Sequence, residues 1–307
     1  MRKISNIGVV LVTYNRLEKL KRTLDYYEKQ TVLPKYIIVV NNASTDNTKN
    51  FLEKWKSEDC DIDKIVINSL ENLGGSGGFY IGQKEALKLD AEWIMVADDD
   101  AYPHLDYLEK AMNIIEIIDE DEVSVICGKV LELGQLCQRF KLNNIFNLNL
   151  LTMMSSIDYK KQIFSIDAFG YVGPIMNIKK LKKVGLINKD FFIWADDLEH
   201  SIRLKKVGEI ICCSNLIIEH DVDRSNYKLS WKDYYGVRNR LYLVKTLLPN
   251  RYPWVLLITL LKTFLGVIIK GKSLIEVRLR LTAIKDAWNN KLGKHKIYKP
   301  GWNPDKK

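Results

Sequence analysis

The sequence is poor in cysteine and in long apolar runs, and it lacks a cleavable-looking leader; each shortage narrows what the chain can be. Five cysteines occur in 307 residues (Cys60, Cys127, Cys137, Cys212 and Cys213), none in C-x-x-C spacing. That argues against a zinc ribbon, a dithiol redox site or a disulfide framework, and reads as reduced thiols acting as small hydrophobes. The opening "MRKISNIGVVLVTYN" carries two charges and an apolar run that ends at Val12 with no small-residue cleavage site. No signal peptide is expected, and the protein should stay in the cytoplasm. The longest apolar stretch, Trp254 to Ile269, has sixteen positions and is interrupted by Lys262. That is short of the roughly 20 needed to span a bilayer. A dinucleotide fingerprint is also missing: the first βα turn carries "TYNR", and downstream Tyr80 stands where G-x-G-x-x-G would need its third glycine.

What is present begins with charge. The net charge of +9 is unevenly placed: from Asn250 onward thirteen Lys or Arg face three acids, a net of +10, while the remainder has 34 against 35. Together with the apolar stretch from Trp254, this basic tail predicts an interfacial segment, its apolar face in the headgroup boundary and its cations on anionic lipid. An ordinary helical cap with a solvated basic face is the plainer alternative.

Short β-branched runs, "IGVVLV" (7–12) and "YIIVV" (36–40), flank a segment in which Leu17, Leu20, Leu24 and Tyr27 recur at helical spacing. The alternation continues with a helix from about Ser44, as N-cap, to Trp55, then "KIVIN", a helix to about Leu89, and "WIMVA" (93–97). Strands alternating with helices predict an α/β fold with a mostly parallel sheet and ligands at the carboxyl ends of its strands. Helix 105–118, strands at "VSVICGKV", "YVGPIMNI" and "EIICCSNLIIEH", and a helix from about Asp197 to Val207 follow. Residues 131–165 show no clear period, and no internal repeat is visible.

"ENLGGSGGFYIG" (71–82) has five glycines in twelve positions, so Gly74, Gly75 and Gly78 are expected where a ligand approaches the backbone. A second glycine signal, "GVIIKGKS" (266–273), matches the P-loop pattern but lies in a helical, apolar segment without a preceding strand, and is read as chance. Asp98, Asp99 and Asp100 follow a buried strand; successive carboxylates repel unless a cation neutralises them. Asp98 and Asp100 would point the same way in extended chain and could share a divalent ion, Mn²⁺ or Mg²⁺, with diphosphate oxygens. In "WADDLEHSIRL", Asp196 and Glu199 suit a capping box, which leaves Asp197 free as a base. A helix N-terminus would keep that base ionised. His220 ends a strand and is a candidate third metal ligand.

In this order, "VVLVTYNR", "IIVVNNASTDNT", "NLGGSGGF", "DDDA", "FFIWADDLEHSIRLKKVG" and "YYGVRNRLYLVK" resemble the inverting glycosyltransferases of family two, with the GT-A fold. The likeness is strongest to bacterial galactofuranosyltransferases, then rhamnosyltransferases. It implies a catalytic domain at 1–230, with a nucleotide-binding half near 1–100 and an acceptor half near 101–230, followed by a helical basic region at 231–307. It implies a uridine pocket from Thr13, Asn15, Asn41 and Asp46, although the family usually has Asp where Asn41 stands. It further implies a D-x-D metal site at Asp98 and Asp100 with His220, Asp197 as catalytic base, and Trp194 beside the sugars. Arg238 and Asn239 would meet diphosphate or acceptor. The donor would be a UDP-sugar, UDP-galactofuranose first and dTDP-rhamnose second, and the acceptor a lipid-linked or cell-surface glycan. A nucleotidyltransferase and a basic nucleic-acid-binding module are the other classes weighed. The first would want more cations than "TYNR" offers; the second would want a stacking motif that is absent, so no nucleic-acid partner is expected.

Overall fold

The computed structural model describes residues 2–142, 150–222, 228–270 and 273–304. Ten strands form one mixed sheet. Strands β1 (Ile7–Thr13), β2 (Tyr36–Asn41), β3 (Asp63–Asn68) and β4 (Trp93–Asp98) are parallel, in the order β3-β2-β1-β4. Helices α1 (Leu17–Glu28), α2 (Thr48–Ser57) and α3 (Gly74–Ala86) connect them. Beyond β4 come β5 (Ala101–Pro103), α4 (Tyr107–Ile115), β6 (Val123–Glu132) and β7 (Gln135–Cys137). Then follow β8 (Phe140–Leu142), β9 (Leu151–Met153), β10 (Ile163–Ile166), β11 (Val172–Asn177), α5 (Ile178–Val184), α6 (Asp196–Lys205) and β12 (Glu209–His220). The far half of the sheet runs β4-β11-β6-β12-β10, and β11 is antiparallel to both its neighbours. The expected parallel order therefore holds for the first four strands and breaks at β11. Strand direction depends on how the chain returns to the sheet, and no local residue pattern encodes it.

The first strands read as continuous apolar runs because both their faces are covered. Val9, Leu11, Trp93 and Met95 face α1, α2 and α4, while Val10, Val12, Ile94 and Val96 face α3 and α5. Helix α3 lies close to the sheet because it has glycine there: a Cβ on Gly78 would fall 2.5 Å from Val12, and one on Gly82 2.3 Å from Val10. The glycine-rich stretch is thus mostly helix, and two of its glycines serve packing.

Helix α2 starts at Thr48, not Ser44. The Asp46 carboxylate accepts from the Thr48 backbone N–H (3.1 Å) and hydroxyl (2.5 Å), while Ser44 accepts from Asn15 N–H. The capping box at α6 does not form either. Ala195 precedes the helix in a left-handed conformation, and Glu199 is bonded to Arg203 at 2.7 and 2.8 Å.

Helices α7 (Lys232–Leu247), α8 (Tyr252–Lys270) and α9 (Leu274–Trp288) pack against the α/β unit. Leu241, Leu243, Val244, Val255 and Ile284 share a core with Phe191 and Ile202. On α8, Trp254, Leu257, Leu261, Phe264 and Leu265 stay exposed, between 46% and 62%. Gly271 and Lys272 of the P-loop-like stretch, and residues 143–149 of the Asn-rich segment, lie outside the described residues.

Candidate active site

Thr13 and Asp98 end β1 and β4, and His220 ends β12, so three strand termini converge. Strand β5 pairs antiparallel with β12, with Ala101 opposite His220, and Asp221 N–H donates to Asp100 O at 2.9 Å. That register sets His220 Nε2 3.5 Å from Asp100 Oδ1. Ligand atoms of Asp98, Asp100 and His220 all lie within 4.8 Å of one another. Two carboxylate oxygens and an imidazole nitrogen suit a hard or borderline divalent ion.

The electrostatics agree with such an ion. Burial, then the neighbouring Asp100 and Asp99, push the Asp98 carboxyl up to about 8, so the group is short of positive charge. Asp99 is pushed to about 6 by burial, against the Thr13 hydroxyl (2.6 Å) and Arg16 (3.2 Å). Burial also works on Asp100, but the His220 hydrogen bond and the charges of Arg16 (2.8 Å) and Lys19 (3.4 Å) hold it below its ordinary value.

A cavity of about 220 Å³ opens beside these acids, lined by Val12, Thr13, Tyr14, Arg16, Asn42, Asn72, Gly74, Gly75, Asp98, Phe192, Trp231, Lys232 and Pro300. It continues into one of about 720 Å³ that shares Arg16, Gly75, Asp98 and Lys232 and adds Asp100, His220, Tyr171, Trp194, Asp196 and Asp197. A third space, of about 450 Å³, meets it at Trp194 and Asp197 and is bounded by Phe140, Leu150, Phe169, Leu198 and Arg240.

Asp197 therefore shares one cavity with the trio of Asp98, Asp100 and His220. Its carboxyl accepts from Leu198 N–H at 2.7 Å, as expected at the start of a helix. Burial, then repulsion from Asp196, nevertheless push it up to about 7. The Leu198 backbone N–H pulls the other way, and burial is the larger effect.

The loop that delivers Asp197 is strained. Phe192, Trp194 and Ala195 have φ of 68°, 66° and 64°. Phe192, with ψ −56°, centres a γ-turn closed by Ile193 N–H to Phe191 O at 2.9 Å. Such residues cost roughly 1–3 kcal/mol each and persist where the surroundings over-determine them. Here the surroundings are Arg238 and Asn239. The Asn239 amide donates to Phe191, Ile193 and Trp194 carbonyls at 2.8–2.9 Å. Arg238 donates to Phe191 O (3.1 Å) and to Gly293 O (2.6 Å), over the Tyr235 ring. Gly236 supplies the room: a Cβ there would be 3.0 Å from the Trp194 indole. The Phe192 carbonyl also explains Gly74, which has φ +74°; a Cβ at that residue would lie 1.9 Å from that oxygen.

Of the residues expected at the site, Thr13, Gly74, Gly75, Asp98, Asp100, Trp194, Asp197 and His220 line the connected cavities. Five are placed elsewhere. Asn41 is buried and bonded to Asn68 and Ser44, and its neighbour Asn42 faces the cavity instead. Asp46 accepts from Thr48 at the start of α2, Gly78 packs on Val12, and Arg238 is 1% exposed within the scaffold. Asn15 bonds Ser44 and Thr45 at the surface. Sequence reasoning missed Arg16, Lys232, Asn42, Asn72 and Pro300. Lys232 makes no ion pair among the described residues, and burial, then Arg16, lower its pKa. Only Arg16 had a local signal, standing next to the strand-end "TYN".

The profile of Glycosyl transferase family 2 matches residues 8–173. The chain belongs to this family. The galactofuranosyltransferase GlfT1 of Mycolicibacterium smegmatis is 39% identical over 97 residues, which is 32% of this chain and 30% of that protein. The chain thus matches under a third of that relative's length. Among solved structures, Staphylococcus aureus TarS 1–349 in complex with UDP-GlcNAc superposes with a TM-score of 0.60 at 16% identity, covering 94% of this chain and 81% of that one. The mannosyltransferase PcManGT of Pyrobaculum calidifontis, in complex with GDP-Man and Mn²⁺, gives 0.55 at 16% identity, over 95% and 87%. The family two chain therefore has the fold of GT-A glycosyltransferases: a central mixed sheet flanked by helices.

Proposed function

We propose that this family two protein is an inverting, metal-dependent glycosyltransferase acting on a nucleotide-sugar donor. The observation that carries the proposal is the single cavity holding Asp98, Asp100 and His220 together with Asp197. Residues 1–100 would hold the nucleotide and 101–230 most of the acceptor surface. Thr13, Asn42, Asn72, Gly74 and Gly75 would border the nucleoside, with Arg16 and Lys232 on the diphosphate. Asp98, Asp100 and His220 would hold Mn²⁺ or Mg²⁺, which when bound stabilises the charge developing on the leaving diphosphate. Asp197 takes the proton of the acceptor hydroxyl as that oxygen attacks the anomeric carbon opposite the leaving group, so one displacement inverts the centre. Trp194, 45% exposed and seated on Gly236, offers a flat apolar face to a sugar ring.

UDP-galactofuranose is the favoured donor, on the partial likeness to GlfT1, with dTDP-rhamnose second. The acceptor is read as a lipid-linked or cell-surface glycan. In support of a membrane-surface location on the cytoplasmic side, the exposed apolar face of α8 lies beside a basic α9 carrying Arg278, Arg280 and Lys285. No helix among the described residues is long and apolar enough to cross a membrane. Nothing in the cavity favours a nucleotidyltransferase or a nucleic-acid module.

The test is nucleotide release from UDP-galactofuranose, UDP-galactose, UDP-glucose and dTDP-rhamnose with Mn²⁺, with and without EDTA. Release from one donor that EDTA abolishes is expected. Release that ignores EDTA would overturn the metal assignment, and failure to bind any of these nucleotides would overturn the donor site. Phe264→Asp should weaken binding to vesicles containing anionic phospholipid; unchanged binding would remove the membrane reading of α8.

A further inference from the structure

After α9 the described residues form no helix or strand, yet those from 293 to 300 do not trail into solvent. Gly293 N–H donates to Asp190 O at 2.6 Å and Gly293 O accepts from Arg238, so both backbone polar groups of this residue are tied, one to the segment just before Phe192 and the other to α7. The Lys294 ammonium donates to Asn72 O at 3.0 Å, pairs with Glu71 at 3.6 Å, and lies 5.9 Å from the Phe192 ring centre. His295 N–H donates to the Tyr235 hydroxyl, which donates to Tyr298 O, both at 2.9 Å. Tyr298 is 5% exposed and stacks on Tyr234 with ring centres 5.1 Å apart. Pro300 then reaches the cavity that Thr13, Asn42 and Gly75 line.

Ordering an irregular segment costs roughly 1–2 kcal/mol per residue in backbone entropy, so it needs compensating contacts. All the contacts above go to elements that shape the nucleotide cavity: the loop before Gly74, the Phe192 turn and α7. Two segments far apart in sequence, 71–75 and 293–300, are thereby joined across one rim.

We propose that residues 293–302 form a strap that serves as one wall of the donor site, with Pro300 contacting the nucleoside diphosphate and Lys294 as the positioning residue that fixes the strap to the 71–75 loop. This rests on the reading of the cavity as a nucleotide site. The C-terminal region would then serve donor binding as well as any membrane contact.

The test uses the full-length protein and UDP with Mn²⁺, titrated calorimetrically, with GDP and dTDP as further probes. Lys294→Ala should raise the Kd for UDP about tenfold, on the scale of one lost charged hydrogen bond, and Lys294→Arg should restore most of it. Pro300→Asp, which sets a negative charge on the wall, should weaken UDP by more than Lys294→Ala while the melting temperature without nucleotide stays within about 2 °C. In the wild type, UDP should slow amide exchange across 293–302. Wild-type UDP affinity in both variants, with no nucleotide-dependent protection of the strap, would overturn the proposal while leaving the donor site standing. A wild-type protein that binds none of the three nucleotides would overturn the donor-site reading and the strap with it.

Discussion

Asp98, Asp99 and Asp100 sit among Arg16, Lys19 and His220, whereas Asp196 and Asp197, across the same cavity, make no ion pair among the described residues. The first cluster is charge-dense: burial, and then mutual repulsion within the triplet, raise Asp98 even with cations nearby, so a divalent ion is proposed there. The second is charge-poor and enclosed by Tyr171, Phe79 and Trp194, so burial, then repulsion from Asp196, raise Asp197 to about 7, which suits the proposed proton acceptor. The same side chain is proposed for two roles because the surroundings differ; left-handed backbone occurs on both sides, at Asn15 and Ala43 near the first and at Phe192, Trp194 and Ala195 near the second.

The sharpest way to break this contrast is to neutralise each cluster in turn. Asp197→Asn should cut sugar transfer by about 10²–10⁴-fold with the metal-dependent nucleotide affinity retained, measured by initial rates. Asp100→Ala should weaken Mn²⁺ affinity by about 100-fold or more, since loss of a direct ligand should exceed the effect of losing a supporting contact. If Asp197 is the base, transfer at limiting substrate should fall as pH drops through about 7, because the carboxyl is protonated below that value. Asp196→Asn, by removing the neighbouring charge, should move that fall to lower pH; a profile flat from pH 5 to 9 would contradict the assignment.

The smallest effect separates cavity wall from packing. A Cβ on Gly75 meets nothing within 4 Å, whereas one on Gly78 meets Val12 at 2.5 Å. Gly75→Val should weaken UDP without moving the melting temperature, and Gly78→Val should cost about 1–3 kcal/mol of stability. Equal behaviour of the two in both assays would contradict the placement of α3.

Legibility in the sequence followed the range of the signal. The β-branched runs, the amphipathic α1 and the acids at the end of β4 were readable because each is decided by neighbours within a few residues. Grouping Asp98 and Asp100 with His220 as a candidate metal trio needed one long-range inference, that His220 ends a strand, and His220 is the last residue of β12, paired with Ala101. Gly78 and Arg238 looked like site residues for a sound reason, glycine and arginine being common near phosphates. Their roles are set by Val12 and by the carbonyls of Phe191 and Gly293, which no local pattern reveals. The same holds for Pro300, brought to the rim by contacts spanning over two hundred residues. Strands β7 to β10 are short, three or four residues each, and mostly at least partly exposed, too brief to show a period.

The most direct test of the division between the two clusters is calorimetric titration of Mn²⁺ and UDP into Asp100→Ala and Asp197→Asn side by side. The expected result is that Asp100→Ala loses metal-dependent UDP binding while Asp197→Asn binds as the wild type does. Loss in both, or retention in both, would contradict the assignment of metal site to one cluster and base to the other.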